Sequence, residues 1–167
     1  MTTKNTDSYQ NSVWKLFLDE NDRFPIGILD DFVINPKNLK IDWFLVRNWF
    51  LNDSKIIKAS MVNRWWDVLF ISSKNIKSLS FYENIKNILI EWNSVIWKKV
   101  VSETGESMWR VYDLIFSNSS FVWFSIIVKK SFFGLFFYWK ERIVSKKNIL
   151  DINLEKIVVR NESLIKA

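Results

Sequence analysis

The chain has 167 residues, 49% hydrophobic and 25% charged, with a formal net charge of +6 and a pI near 9.5. This is the composition of a globular chain with room for a sizeable core, and it excludes a disordered one. Cysteine and histidine are both absent, which excludes a disulfide framework, Cys-based zinc or iron–sulfur sites, Ser-His and Cys-His pairs and the commonest general base.

The first dozen residues, Met1 to Ser12, are polar and lack the apolar stretch of a secretory signal. They read as a flexible tail, and the expected location is cytoplasmic or organellar (mitochondrion or plastid), not secreted. The sequons at Asn52, Asn118 and Asn161 then carry no weight. Ala occurs twice, Gln once and Pro twice, while Lys, Asn, Ile, Phe and Trp abound. This bias suits an AT-rich organellar or viral genome, and it accounts for part of the tryptophan content. Charge is uneven: residues 1–34 carry −3, residues 35–102 carry +6 and residues 103–167 carry +3.

Along the chain, Asp19, Glu20, Asp22, Asp30 and Asp31 surround Pro25 and Gly27, the pattern of a solvated acidic loop. After Pro36, Leu39 to Leu51 is dense in apolar residues and predicts a helix. A second helix is predicted from Asp53–Ser54, with Ile57, Met61, Val62, Trp65, Trp66 and Leu69 at helical spacing. A third follows the Ser80–Glu83 capping box, with Phe81, Ile85, Ile88, Leu89, Trp92 and Ile96 along one face. Gly105 ends it. Strands are predicted at Met108 to Phe116, Phe121 to Val128, Phe132 to Trp139 and Lys156 to Arg160, with turns at Ser117–Ser120 and Lys129–Ser131; Ile149 to Leu154 is ambiguous. The expected fold is α+β, one domain over 1–167, with N-terminal helices (35–104) packed on a C-terminal antiparallel β-meander (107–160). No internal repeat, low-complexity tract or linker is legible.

The stretch Phe121 to Trp139 has the length of a membrane span. Lys129 and Lys130 at its centre cost about 5–7 kcal/mol, against roughly 4–7 kcal/mol from its apolar residues. Two strands and a turn fit better, so a membrane partner is not expected.

Chemistry is sparse. The three glycines are isolated, which leaves no phosphate loop. Asp42, Asp53 and Lys55 superficially match a metal-dependent nuclease, but capping explains Asp53 better. Ser12-x-x-Lys15 and Ser163-x-x-Lys166 are matches of chance-level specificity. The expectation is a non-enzyme with no cofactor, metal or small-molecule substrate.

The basic, aromatic-rich composition points instead to a nucleic-acid-associated protein, with RNA or a ribonucleoprotein favoured. The candidate phosphate contacts are Lys37, Lys40, Arg47, Lys55, Lys58, Arg64, Lys98 and Lys99, with Lys74 and Lys77 in support. Lys129 and Lys130 beside the aromatic run add a base-stacking possibility. The alternative is a protein-interaction or assembly subunit using exposed aromatics, with Trp65 and Trp66 as the candidate interface.

Overall fold

The computed structural model describes residues 6–161 except 36, 39, 49–53, 66, 73–75, 79, 81–82, 85–88, 106–108, 133–134 and 154, and leaves out the side chains of Arg64, Ser78 and 131–139. Two mixed sheets make up almost all of it. The first contains β2 (Leu16–Asp19), β3 (Pro25–Asn35), β4 (Lys40–Arg47), β5 (Ser54–Lys58), β6 (Val62–Trp65), β7 (Val68–Ile71) and β8 (Lys77–Ser78), in the spatial order β6-β7-β2-β3-β4-β5-β8. A short β9 (Ile90–Glu91) shares one edge of β3 with β2. The second sheet contains β10 (Lys99–Ser102), β11 (Trp109–Ser117), β12 (Trp123–Phe132), β13 (Leu135–Ser145), β14 (Ile149–Ile152) and β15 (Lys156–Val159), in the order β13-β12-β11-β10-β15-β14. Here β1 (Thr6–Ser8) shares one edge of β11 with β10. One α-helical turn, α1 (Tyr9–Ser12), follows β1.

The expected α+β arrangement is therefore overturned: no bundle of N-terminal helices packs on a meander. The reason is visible in β4. Its inner residues Ile41, Phe44 and Val46 are buried in the main core. Its outer residues Trp43 and Leu45 pack with Val33, Ile56 and Leu89 in a second, smaller cluster. A strand covered on both faces gives a near-continuous apolar run, which periodicity alone cannot separate from a helix. The predicted second helix divides into β5, a 3-10 turn at Ala59–Met61, β6 and β7, in keeping with its β-branched residues. The predicted third helix falls partly outside the described residues; its end forms β9 and a 3-10 turn at Trp92–Ser94. Lys129-Lys130-Ser131 is not a turn either, because β12 runs through it with register shifts. Among the described residues no helix is long and apolar enough to cross a membrane.

The pairing registers reveal an internal repeat that the sequence hides. In the first half Leu16 pairs with Ile28 and with Val68; in the second, Lys99 pairs with Arg110 and with Lys156. The β3–β4 ladder slips between Leu29 and Asp31, and β11–β12 slips between Val111 and Asp113. β5 is followed by a 3-10 turn and the β6–β7 pair, and β13 by a 3-10 turn (Lys146–Asn148) and the β14–β15 pair. Both β6–β7 and β14–β15 slip after their first pair, Val62–Ile71 and Ile149–Val159. In both halves a parallel pairing, β2–β7 or β10–β15, closes the unit.

The halves exchange their leading segments. β1 and α1 belong in sequence to the first half but dock on β11, and β9 with the Trp92–Ser94 turn docks on β3. A buried aspartate holds each crossing. Asp31 Oδ1 accepts the Phe32 and Asn93 amides at 2.7 and 3.0 Å, and Asp113 Oδ1 accepts those of Leu114 and Gln10 at 2.7 and 3.1 Å. Each carboxylate thus satisfies an amide at the start of a helical turn from the other half, a task normally done by a local N-cap. Asp113→Ala orphans two amides and should cost about 2–3 kcal/mol, while Asp113→Asn, which keeps Oδ1, should cost clearly less. Urea midpoints of the two variants check this.

Between the sheets lies one continuous core. Phe32 meets Phe116 at 5.1 Å, and Trp65 meets Phe116 and Phe121 at 5.2 and 5.3 Å, all edge to face. Trp65 is thus a core residue and not an interface one: only 7% is exposed, and its Nε1 donates to Asp7. Trp66 lies outside the described residues.

Candidate nucleic-acid interface

Four cations stand side by side across four adjacent strands of the second sheet. Lys129 on β12 pairs with Arg110 on β11, Arg110 with Lys99 on β10, and Lys99 with Lys156 on β15. Their chain neighbours Val128, Val111, Val100 and Ile157 are fully buried, so the alternation of a strand turns the four charges outward. With adjacent strands about 4.8 Å apart, the row spans roughly 14 Å. An open cleft of about 510 Å³ lies at three of the four cations, Lys99, Arg110 and Lys156, with Lys98, Val101, Gly105 and the acidic Glu155 completing its lining.

Aromatic rings adjoin the row. Trp97 is 44% exposed and meets the Tyr112 ring edge to face at 6.0 Å. Lys129 Nζ lies 3.3 Å from the centroid of Tyr112 and 3.5 Å from Glu141. Arg110 Nη1 donates to the Trp97 carbonyl at 2.8 Å, and Lys98 Nζ donates to the Asn153 carbonyl at 3.2 Å. Burial pushes the Lys98 ammonium below its ordinary value.

Trp97 has φ 69°, and its counterpart Trp14 has φ 80°. Each follows a helical turn at the place where glycine usually ends a helix. In each case the Trp amide donates to the next long strand, Trp14 to the Leu29 carbonyl at 2.9 Å and Trp97 to that of Val111 at 2.8 Å. For a bulky residue this backbone costs on the order of 1–2 kcal/mol. The sequence places tryptophan there twice.

The two halves differ in charge at this face. Where the second has Lys99, Arg110 and Lys156, the registers put Leu16, Ile28 and Val68 in the first. Arg47 matches Lys129 and is likewise paired, with Asp30 at 3.0 Å, and lies over a ring, that of Trp14, at 5.1 Å. The fold therefore does not require the charges of Lys99, Arg110 and Lys156. Like charges directly opposite one another in a sheet oppose folding, a cost that the Lys129–Glu141 pair and the Arg110–Trp97 hydrogen bond offset in part.

Of the candidates named from sequence, Lys98, Lys99 and Lys129 come together here, with Lys130 next along β12. Lys37 and Lys40 sit at the opposite end of β4 from Arg47, near Asn38, whose carbonyl accepts from Lys146 Nζ. Lys55 and Lys58 lie on β5, Arg64 on β6 and Lys77 on β8, all in the first sheet, while Lys74 is outside the described residues. Arg110 and Lys156 escaped sequence reading because the row runs across strands, and only pairing registers bring its members together.

The acidic candidates are structural. Asp19 Oδ1 accepts the Asn21 amide at 2.8 Å in the β2–β3 turn, Asp31 caps the crossing segment, and Asp42 accepts from Asn35 at 3.0 Å. Asp53 and the Ser163–Lys166 match lie outside the described residues, and Ser12 is buried with its hydroxyl donating to the Ser8 carbonyl. Among the described residues no three acidic side chains converge to hold a metal ion. No protein-family model matches this chain, and no curated protein is detectably similar to it.

Proposed function

We propose that this protein is a non-catalytic nucleic-acid-binding protein that takes a single strand, RNA in the first instance, across β12, β11, β10 and β15. The observation that carries this reading is the in-register row Lys129, Arg110, Lys99 and Lys156, flanked by Trp97 and absent from the first half. Cations in a row track a sugar–phosphate backbone, and an exposed ring beside them stacks an unpaired base without reading its sequence. Bound phosphates relieve the repulsion among the four charges, so part of the folding cost returns on binding.

The test is fluorescence anisotropy with labelled 12-mers of U and of dT at low ionic strength. Micromolar binding that weakens with salt is expected, and no binding at low salt overturns the proposal. Trp97→Gly is the informative variant, because glycine suits the left-handed backbone. Stability should stay within about 1 kcal/mol, since relief of strain offsets the lost ring contact. Affinity should fall about 5- to 100-fold, the value of one stacked base. Trp14→Gly, in the half without the row, should bind normally.

A further inference from the structure

We propose that the outer edge of β13, with the exposed Ile143 beside it, takes an extended acidic segment of a partner protein as an added strand. The chain itself supplies the template for this. In the first half, β5 occupies the place of β13, and its outer edge is paired with β8: Lys55 with Ser78, and Ile56 with Lys77. Above it Ile56 and Val33 are completely buried in the cluster with Trp43, Leu45 and Leu89. In the second half Ile143 holds the position of Ile56, because Ile143 pairs with Ile127 as Ile56 pairs with Leu45. Yet Ile143 is 63% exposed. Among the described residues no strand pairs with the outer edge of β13, which ends its sheet.

A second observation lies one residue away. Arg142 holds the register position of Lys55, whose edge faces Ser78 of β8. Its guanidinium lies over the Trp109 ring at 5.1 Å, and its Nη1 is buried with no hydrogen-bond acceptor. A buried donor of this kind calls for an acceptor. Trp109 belongs to β11, so the guanidinium reaches inward beneath β12 and adds positive charge behind the edge without itself meeting an added strand.

Charge selects the occupant. Lys140 and Lys147 stand at the edge, with the Arg142 charge behind them, against Glu141 alone on that strand and turn. A second copy of the chain would bring the same excess of positive charge to this edge, which is how edge strands commonly discourage self-pairing. A segment with acidic residues alternating with β-branched ones would instead lay its apolar side on Ile143 and offer carboxylates to Lys140. This surface adjoins the cationic row where Glu141 pairs with Lys129, and the residues that respond, 140–145 or Lys99, Arg110 and Lys156, tell the two apart.

The probe is the peptide Glu-Val-Glu-Val-Glu-Val, capped at both ends and titrated into the full chain while backbone amide shifts are followed by NMR. Shifts confined to residues 140–145 and their β12 partners are expected. A version with a central proline and a Lys-Val version should each bind at least tenfold more weakly, and Ile143→Lys should reduce binding by a similar factor. Ile143→Thr keeps a strand-forming residue and controls for folding. Absent shifts, or equal binding of the proline version, overturn the proposal. A dimer in sedimentation that Ile143→Lys dissociates would make a second copy the occupant and overturn it. Slow exchange of the 140–145 amides that is lost on deleting residues 162–167 would make the chain's own segment the occupant, with the same result.

Discussion

Replacing Lys99, Arg110 and Lys156 by Leu, Ile and Val is expected to weaken nucleic-acid binding severely and to raise the melting temperature. The replacements are the residues that the first half carries in the same registers, so the backbone already accommodates them. Each like-charge pair removed returns about 0.2–1 kcal/mol. For a chain of this size that corresponds to a rise of roughly 2–4 °C per kcal/mol. Binding should move the other way. A single strand held by four cations should show a slope of log affinity against log salt near −2.8, at about −0.7 per phosphate neutralised, and the triple variant should fall to about −0.7. Ordinary surface cations would not couple the two readouts in opposite directions. If the triple variant bound like the natural chain, the row would not be the site, whatever its stability.

The same comparison explains what could be read in the sequence. Asn11-Ser12-Val13-Trp14-Lys15 recurs as Asn93-Ser94-Val95-Ile96-Trp97-Lys98, and Asp31 recurs as Asp113. The inserted Ile96 breaks the match, and the buried positions have diverged within apolar types, as with Phe17 and Val100. A core asks only for apolar volume, so packing can be kept while identity is lost. The second-half strands β11 and β15 were legible because turns or polar residues bound them. β4 and β5 were not, because their outer faces are covered by residues distant in sequence, which removes the polar alternation that marks a half-exposed strand. The site was half legible for a related reason. Lys98, Lys99 and Lys129 stand out as basic residues near aromatics, but Arg110 and Lys156 gain meaning only from their strand partners. Trp97 carries no local signal, because nothing in the sequence marks a left-handed backbone at a tryptophan.

Stability should fall as pH rises from about 4 to about 7, and Asp31 should be the main cause. Burial pushes its carboxyl up to about 7, against the Phe32 and Asn93 amides and the Tyr9 hydroxyl, which favour the ionised form; the Glu91 charge pushes it further up. In the unfolded chain the same group titrates near 3.8. Between those values the native state holds a proton that the unfolded state releases, so raising pH favours unfolding. At about 1.4 kcal/mol per unit, the loss between pH 4 and pH 8 approaches roughly 4 kcal/mol. Burial raises Asp113 as well, which adds to the trend with the same sign. Asp31→Asn keeps Oδ1 for both amides and removes the titration. It should match the natural chain near pH 4 and exceed it at pH 8, as urea midpoints at the two values will show. A constant difference across pH would mean that Asp31 does not titrate in this window. Asp31→Ala should be less stable than either at every pH, because it orphans the Asn93 amide at the head of the turn that leads to Trp97. Loosening that turn also loosens the ring beside the cationic row, so Asp31→Ala should weaken nucleic-acid binding even where the protein remains folded, while Asp31→Asn should not.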